Sequence, residues 1–438
     1  MPRWLASSSQ FGVSRAGVAL LVSSCGAAVL NLAFWVVAAR HYPVEEVGRA
    51  SAQLAAITLL AQIAQLNLTS VFTRFVPVAG SATPRFLGTG YAVSVAVAVV
   101  LGIGFLGFGF ASNFLDLSLL HGVLFVLGVA FLAMFVVQDG VLTALQRAAW
   151  VPVENITVSA VKVGLLVALA SSGWTMAVAV SWLGPVVVAV LVVSVVVIGR
   201  LALARARGAD DASRLPTRRE LGSFVLADHL NNIMNMAVAF VPPLLVVHIL
   251  GDRENAYFTV PWLIASTLQL LFWNVANSYV VEAVGNPHSA RSHVRQLLAL
   301  MGAVAAAATV GLAGVGPWVL AVQGRDFASA GTTLVYFIAA STPFVGAIVI
   351  ATALAVVRGH LWPVVWRNAL ASTILLVALV VLLPHGLWTV GAVFLAVQAA
   401  LGLSMAPRAI RELRRLLSRS ASGSERQAAR LHAEQEIG

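Results

Sequence analysis

One cysteine and one lysine among 438 residues set the first limits on this chain. A lone Cys25 excludes a disulfide framework and argues against thiolate metal binding, so it reads as a small buried filler. Charge is scarce too: 10% of residues are Asp, Glu, Lys or Arg, where soluble domains carry about 25%. Hydrophobic residues make up 60% and the mean hydropathy is +0.92, which identifies an integral membrane protein. Between its apolar runs the chain has no segment large enough for a catalytic domain. It shows no nucleophile beside a base, no His/Cys metal set and no phosphate-binding glycine loop, and His229 and His248 stand alone. Neither an enzyme nor a cofactor or metal is therefore expected, and no ATP hydrolysis.

What is present is a succession of runs of roughly 20 apolar residues, each long enough as a helix to cross a hydrocarbon core of about 30 Å. Hydropathy and breakers place twelve spans, at 16–39, 50–73, 86–110, 119–143, 154–172, 175–198, 222–248, 256–281, 296–321, 331–356, 362–383 and 387–407. The first is too long for a signal-peptide core and lacks a cleavage site. With both termini cytoplasmic, four arginines fall outside (Arg40, Arg49, Arg253, Arg325), which leaves 22 of the 26 inside or at its edge. The positive-inside rule thus predicts N-in, C-in. The net charge of +10 reports topology first; without a binding fold or aromatic interleaving, nucleic acid is not an expected partner. In the tail, Ile410, Leu413 and Leu417 recur at helical spacing among arginines, so its first part should lie on anionic headgroups and the stretch beyond Ser420 should be loose.

A weak internal repeat divides the chain. Shifting by 208 residues lays "EEVGRASAQLAAITLL" (45–60) over "RENAYFTVPWLIASTL" (253–268), and shifting by 211 lays Arg147 and Pro152 over Arg358 and Pro363. The expected organisation is an N-terminal six-helix bundle (1–198), a cytoplasmic linker (199–221), a C-terminal six-helix bundle (222–407) and a basic tail (408–438). The fold class is accordingly all-α, with about 12 transmembrane helices in two pseudo-symmetric bundles. Parallel repeats place a substrate path on the axis between them.

Polar side chains inside spans cost roughly 2.5 to 3.5 kcal/mol when charged and so face protein or water. Asp228, Asn231, Asn232 and Asn235 recur on one side of span 7, beside Pro242 and Pro243, which predict a kink. Span 8 carries Gln269, Trp273 and Asn277 on one face, and span 2 carries Gln65 and Thr69, which the 208 shift lays over Trp273 and Asn277. These residues are candidates for the wall of a hydrated cavity; interhelical hydrogen bonds that merely join the bundle are the alternative, at about 0.6 kcal/mol each. Lys162 lies about 12 Å into span 5, at a depth similar to Asp228. It is open to three readings: a structural lysine paired with Asp139 or Glu154, a cationic contact for an anionic substrate, or a proton-exchanging group. Arg15, Arg74, Arg147, Arg358 and Arg367 at the cytoplasmic ends of spans serve either topology or phosphate attraction.

The segment "LNLAFWVVAARHYPVEEVGRASAQLAAITLLAQIAQLNLTSVFTRFVP", with Arg40, Pro43, Glu45, Glu46 and Gly48 and an echo in Gly251, Asp252, Glu254 and Tyr257, resembles the polysaccharide-transporter (Wzx-like) flippases of the MOP superfamily. The resemblance implies transport of a polyprenyl-diphosphate-linked oligosaccharide across a bacterial cytoplasmic membrane for surface polysaccharide biosynthesis. It also implies alternating access, and partners drawn from membrane lipids, a glycan polymerase and glycosyltransferases. The same superfamily contains proton- or sodium-coupled MATE-type exporters, many with an acid in span 1, where this chain has Asn31. Its lipid II flippases normally carry extra spans. A non-transporting scaffold for a glycan synthase is the rival from another class.

Overall fold

The computed structural model describes residues 15–109, 112, 114–115, 118–207, 233, 236–285, 290–358 and 362–435. Regular structure among them is helical throughout: α1 (Arg15–His41), α2 (Val44–Ala64), α3 (Leu68–Phe75), α4 (Thr83–Gly107), α5 (Leu119–Ala144), α6 (Trp150–Leu169), α7 (Ala177–Val192), α8 (Gly199–Arg207), α9 (Met236–Leu250), α10 (Asp252–Gly285), α11 (Ala290–Gln323), α12 (Arg325–Val357), α13 (Trp362–Leu382) and α14 (Trp388–Gln435). Among the described residues, ten stretches are long and apolar enough to cross a membrane, and two shorter apolar helices, Val29–His41 and Met236–Leu250, fall in the expected first and seventh spans. The all-α membrane architecture expected from hydropathy is the one observed.

Three elements differ from the sequence reading. The expected second span is the run Val44–Val78, and it is broken between α2 and α3. α7 passes into α8 through a π-helical turn at Val193–Ile198, a widening that inserts one residue into the ladder and is common at functional sites. α14 continues as helix through Pro407 to Gln435, because the tail is rich in Ala, Arg, Glu, Gln and Leu, the strongest helix formers.

The helices group into two compact units, Met1–Val260 and Pro261–Gly438. In the first, α5 is the central post, packed on α2, α3, α4 and α7. Ala52, Ala56, Ala61 and Ala64 on α2 let backbones come close, and Ile57, Phe125, Val129 and Ala133 fill the space between them. In the second unit α12 packs on both α11 and α14, around Phe272, Leu297, Met301, Val345 and Val349.

The N-terminal ends of α2 and α10 meet within the first unit. A side chain at Gly48 would collide with the Asp252 carbonyl, so only glycine permits this approach. Asn255 Nδ2 donates to the Gly48 carbonyl at 2.7 Å and to Ser51 Oγ at 2.8 Å, and Thr259 Oγ1 lies 2.7 Å from Ser51 Oγ. Ser51 and Thr259 are the residues that the 208 shift superposes. Equivalent residues that touch each other are what a local two-fold axis between the ends of α2 and α10 would produce.

Candidate functional site

The break after α2 is built by sequence, not by proline. Gln65 still bonds back to Ala61, but Leu66 and Asn67 turn into left-handed backbone at φ 48° and 53°. Asn tolerates that region; leucine does not, and such residues cost on the order of 1–3 kcal/mol and concentrate at functional sites. The turn carries polar side chains. Gln65 is buried, its Nε2 donates to Gln62 Oε1 at 3.3 Å, and its Oε1 has no hydrogen-bond partner among the described residues. Ser70 Oγ donates to Asn67 Oδ1 at 3.1 Å.

α3 is then pinned to α5. A Cβ at Gly140 would sit 2.6 Å from Thr69 Cα, and Thr69 Oγ1 donates to the Val136 carbonyl at 3.4 Å. With Leu68, Val71 and Phe72 buried on one side, α3 leaves Thr73 and Arg74 exposed, the guanidinium lying 5.4 Å from the Phe75 ring centroid. Broken helices of this kind offer unpaired backbone and side-chain dipoles to substrates inside membranes.

A second polar cluster lies inside the same unit, where α5, α6 and the π-helical turn converge. Gln138 is fully buried; its Nε2 donates to Glu154 Oε1, and its Oε1 accepts from Ser194 Oγ at 2.8 Å. Glu154 Oε2 and Asp139 Oδ1 are buried without hydrogen-bond partners among the described residues. Lys162, further along α6, is buried with its Nζ 3.5 Å from the centroid of the Trp182 ring on α7. Its described contact is an aromatic face, not a carboxylate, and it points at protein. A cation over indole in a dry site is worth about 2 kcal/mol or more, which offsets part of its desolvation.

The remaining candidates scatter more widely. Asn31 is partly buried on α1. Gln269 lines a void of about 10 Å³ in the second unit with Phe272, Ser341 and Thr342, roughly one water in size. Trp273 packs partly against the core of that unit, and Asn277 is exposed on the same helix. Asp228, Asn231, Asn232 and Asn235 lie outside the described residues. The structure thus joins Gln65, Thr69 and Arg74 around one helix break, and Gln269, Trp273 and Asn277 along one helix. Sequence reading missed the Gln138–Glu154–Ser194 cluster. Its signal was the adjacent Gln138 and Asp139 inside an otherwise apolar span.

No protein-family model matches the sequence, and no curated protein shares significant similarity with it. Solved structures do match. A lipid II flippase, MurJ, in an inward closed conformation matches with a TM-score of 0.64 at 11% identity, covering 91% of this chain and 90% of that one. The MATE multidrug transporter DinF-BH, solved as a complex, matches with a TM-score of 0.64 at 15% identity, over 92% and 95%. An inward-facing MATE family transporter of the MOP superfamily matches with a TM-score of 0.58 at 13% identity, over 91% and 98%. At these identities the likeness shows the fold: it is that of MATE-like and MOP-superfamily transporters.

Proposed function

We propose that the chain is a flippase that carries a polyprenyl-diphosphate-linked oligosaccharide from the cytoplasmic to the outer leaflet of a bacterial cytoplasmic membrane. The observation that carries this reading is the break at Leu66–Asn67, where the buried Gln65 and half-buried Asn67 are followed along α3 by the exposed Arg74. A diphosphate needs guanidinium donors at the entrance, for which arginine offers a bidentate fork. A glycan needs uncharged amides and hydroxyls on the way through, and Gln65, Asn67 and Thr69 supply them. The prenyl tail stays in lipid while only the headgroup crosses. Asn31 in place of an acid on α1 keeps that helix free of a charge that would repel phosphate.

In this reading both termini are cytoplasmic, and the two six-helix halves rock about the shared path. Gln269, Trp273 and Asn277 on α10, and Asp228, Asn231, Asn232 and Asn235 earlier in the chain, are the further substrate contacts this reading expects. Trp273 offers an indole face on which a sugar ring stacks. Glycosyltransferases and a glycan polymerase are the partners such a substrate implies.

A proton- or sodium-coupled exporter is the second reading, and a specific observation favours it. Glu154 and Asp139 hold buried carboxylate oxygens without hydrogen-bond partners among the described residues, and carboxylates at membrane depth are by default functional.

Reconstitution separates the two. Liposomes containing the protein and a polyprenyl-diphosphate carrying a disaccharide with a terminal β-linked N-acetylhexosamine should lose protection of that terminal sugar from an external hexosaminidase, and Gln65→Ala or Arg74→Gln should slow the loss about tenfold, on the order of one hydrogen bond. If the sugar stays protected while cells gain resistance to a cationic rhodamine dye that Glu154→Gln abolishes, the exporter stands and the flippase is wrong.

A further inference from the structure

The second unit contains a cavity of about 480 Å³ whose polar wall is Arg358, Arg367, Arg408, Arg411, Arg415 and Glu412. Five guanidiniums against one carboxylate leave a formal excess of four positive charges. Arg408, Arg411 and Arg415 are spaced i, i+3 and i+7, so α14 presents all three on one face. Glu412 pairs with Arg358 across the gap to α12 and with Arg415 at 3.4 Å on its own helix. It ties α12 to α14, and Arg367, Arg408 and Arg411 stand in the same lining. The rest of the lining is apolar and includes the buried Leu354, Val364 and Met405. The cavity is therefore amphiphilic.

Its depth in the membrane is marked independently. Trp362 and Trp366 stand one turn apart on α13, 71% and 70% exposed, and Arg367 follows directly. Exposed tryptophans at the end of a spanning helix sit at the headgroup level. From Trp366 an exposed apolar stripe runs along α13 through Leu370, Ile374 and Val377, at the i, i+4, i+8 and i+11 spacing of one helix face. An acyl chain fits along that stripe when its headgroup is at Arg367.

We propose that this pocket binds the phosphate headgroup of an anionic membrane phospholipid, with its acyl chain on the α13 stripe. Guanidinium forks match phosphate oxygens, and basic pockets between spanning helices select anionic lipids over zwitterionic ones. A freely soluble anion would have no use for the apolar lining or the tryptophan-marked depth. The site stands on the second unit alone and is independent of the transport reading. It sits at the end of α12 and the start of α13 that the topology expects to be cytoplasmic.

The test uses the full-length protein, delipidated and placed in nanodiscs of phosphatidylcholine with or without phosphatidylglycerol. Lipid retention is read by native mass spectrometry, and thermal unfolding is read alongside. Wild type should retain phosphatidylglycerol and unfold at higher temperature with it. R367Q/R408Q/R411Q should lose that selectivity by about 10- to 100-fold, R367K/R408K/R411K should recover part of it, and the charge-matched control R85Q/R295Q/R414Q, at exposed or partly exposed arginines outside the pocket, should keep it. Equal retention by the pocket and control variants would overturn the assignment, as would equal retention of both lipids by wild type. If inorganic phosphate stabilises wild type as well as phosphatidylglycerol does, the site is one for soluble anions. If only undecaprenyl diphosphate is retained, it belongs to a transported lipid, and the phospholipid proposal is likewise wrong. Should the glutamine variant unfold, the lysine variant and the lipid selectivity of wild type still decide.

Discussion

The two units share helical construction but place their polar groups in opposite ways. In the first, charge goes inside: among the described residues, Glu154 and Lys162 are the buried charged side chains, and both belong to it. In the second, the buried polar side chains among the described residues are uncharged: the amides Gln323 and Gln398, and hydroxyls that mostly bond back to their own helix, such as Thr342 to Ala339 and Thr352 to Ile348. Five of its arginines line one cavity instead. The first unit holds buried charge that a moving headgroup or ion could use, and the second gathers cationic side chains where a lipid headgroup can be held.

The strongest way to break that contrast is to empty the buried cluster. Gln138→Leu leaves Glu154 Oε1 and the Ser194 hydroxyl without the partner they share. Stranding buried polar and charged groups costs about 3 kcal/mol or more. Thermal unfolding in detergent should fall sharply for this variant, and restoring part of it with a second change, Glu154→Leu, would show that the stranded carboxylate is the cause. If Gln138→Leu unfolds like wild type, the cluster is wetter than its burial indicates.

A smaller effect of opposite sign is expected at the helix break. Leu66→Gly removes a side chain from left-handed backbone at φ 48°, and relief of that strain should raise stability by about 1 kcal/mol. The same change frees a turn that now holds Gln65 and Asn67 in place, so transport of the labelled sugar lipid should slow while unfolding moves upward. Stability and transport rising together would mean that the strained turn positions nothing.

How far the sequence could be read follows from the same residues. Helix number and placement were legible because a lipid solvent demands about 20 apolar residues per span, and few other patterns meet that demand. The 208 shift was legible too, and it reappears as the Ser51–Thr259 contact. The break was not: "QLNLTS" contains neither glycine nor proline, and Asn67 alone is a weak left-handed signal. Of the cavity candidates, Gln65 and Thr69 fall at the break, whereas Asn277 is exposed on α10; spacing gives a face and not what covers it. The arginine-lined cavity was half visible, in Arg358 and Arg367, but helical spacing could not bring the arginines of α14 beside them from so far along the chain. The Gln138 cluster escaped because its members come from three elements, and a π-helical turn aims the third.

In the second unit, Thr342→Val should cost little. Its hydroxyl meets Thr309 across the α11–α12 interface and also bonds to its own helix at 2.8 Å. Interhelical hydrogen bonds in membranes average about 0.6 kcal/mol. A loss near that size, several-fold below the effect of Gln138→Leu, would confirm that the two interiors differ in kind. A loss of comparable size would erase the distinction.

The smallest effect is expected at Lys162, and it is the most informative. Lys162→Met removes a cation–π contact worth about 2 kcal/mol or more in a dry site, but it also removes the cost of burying an ammonium, a trade that is often neutral or stabilising when a hydrophobic side chain of similar length replaces the charge. Unfolding should therefore shift by less than about 1 kcal/mol, and expression should hold. Where the fold is unchanged, transport of the labelled lipid decides what the ammonium does. A fall in transport places the ammonium on the substrate or ion path, and unchanged transport assigns Lys162 to Trp182 alone. Lys162→Gln, which keeps a donor but no charge, separates hydrogen bonding from charge in the first case: recovery with glutamine points to a polar contact with the glycan, and failure to recover points to the phosphate.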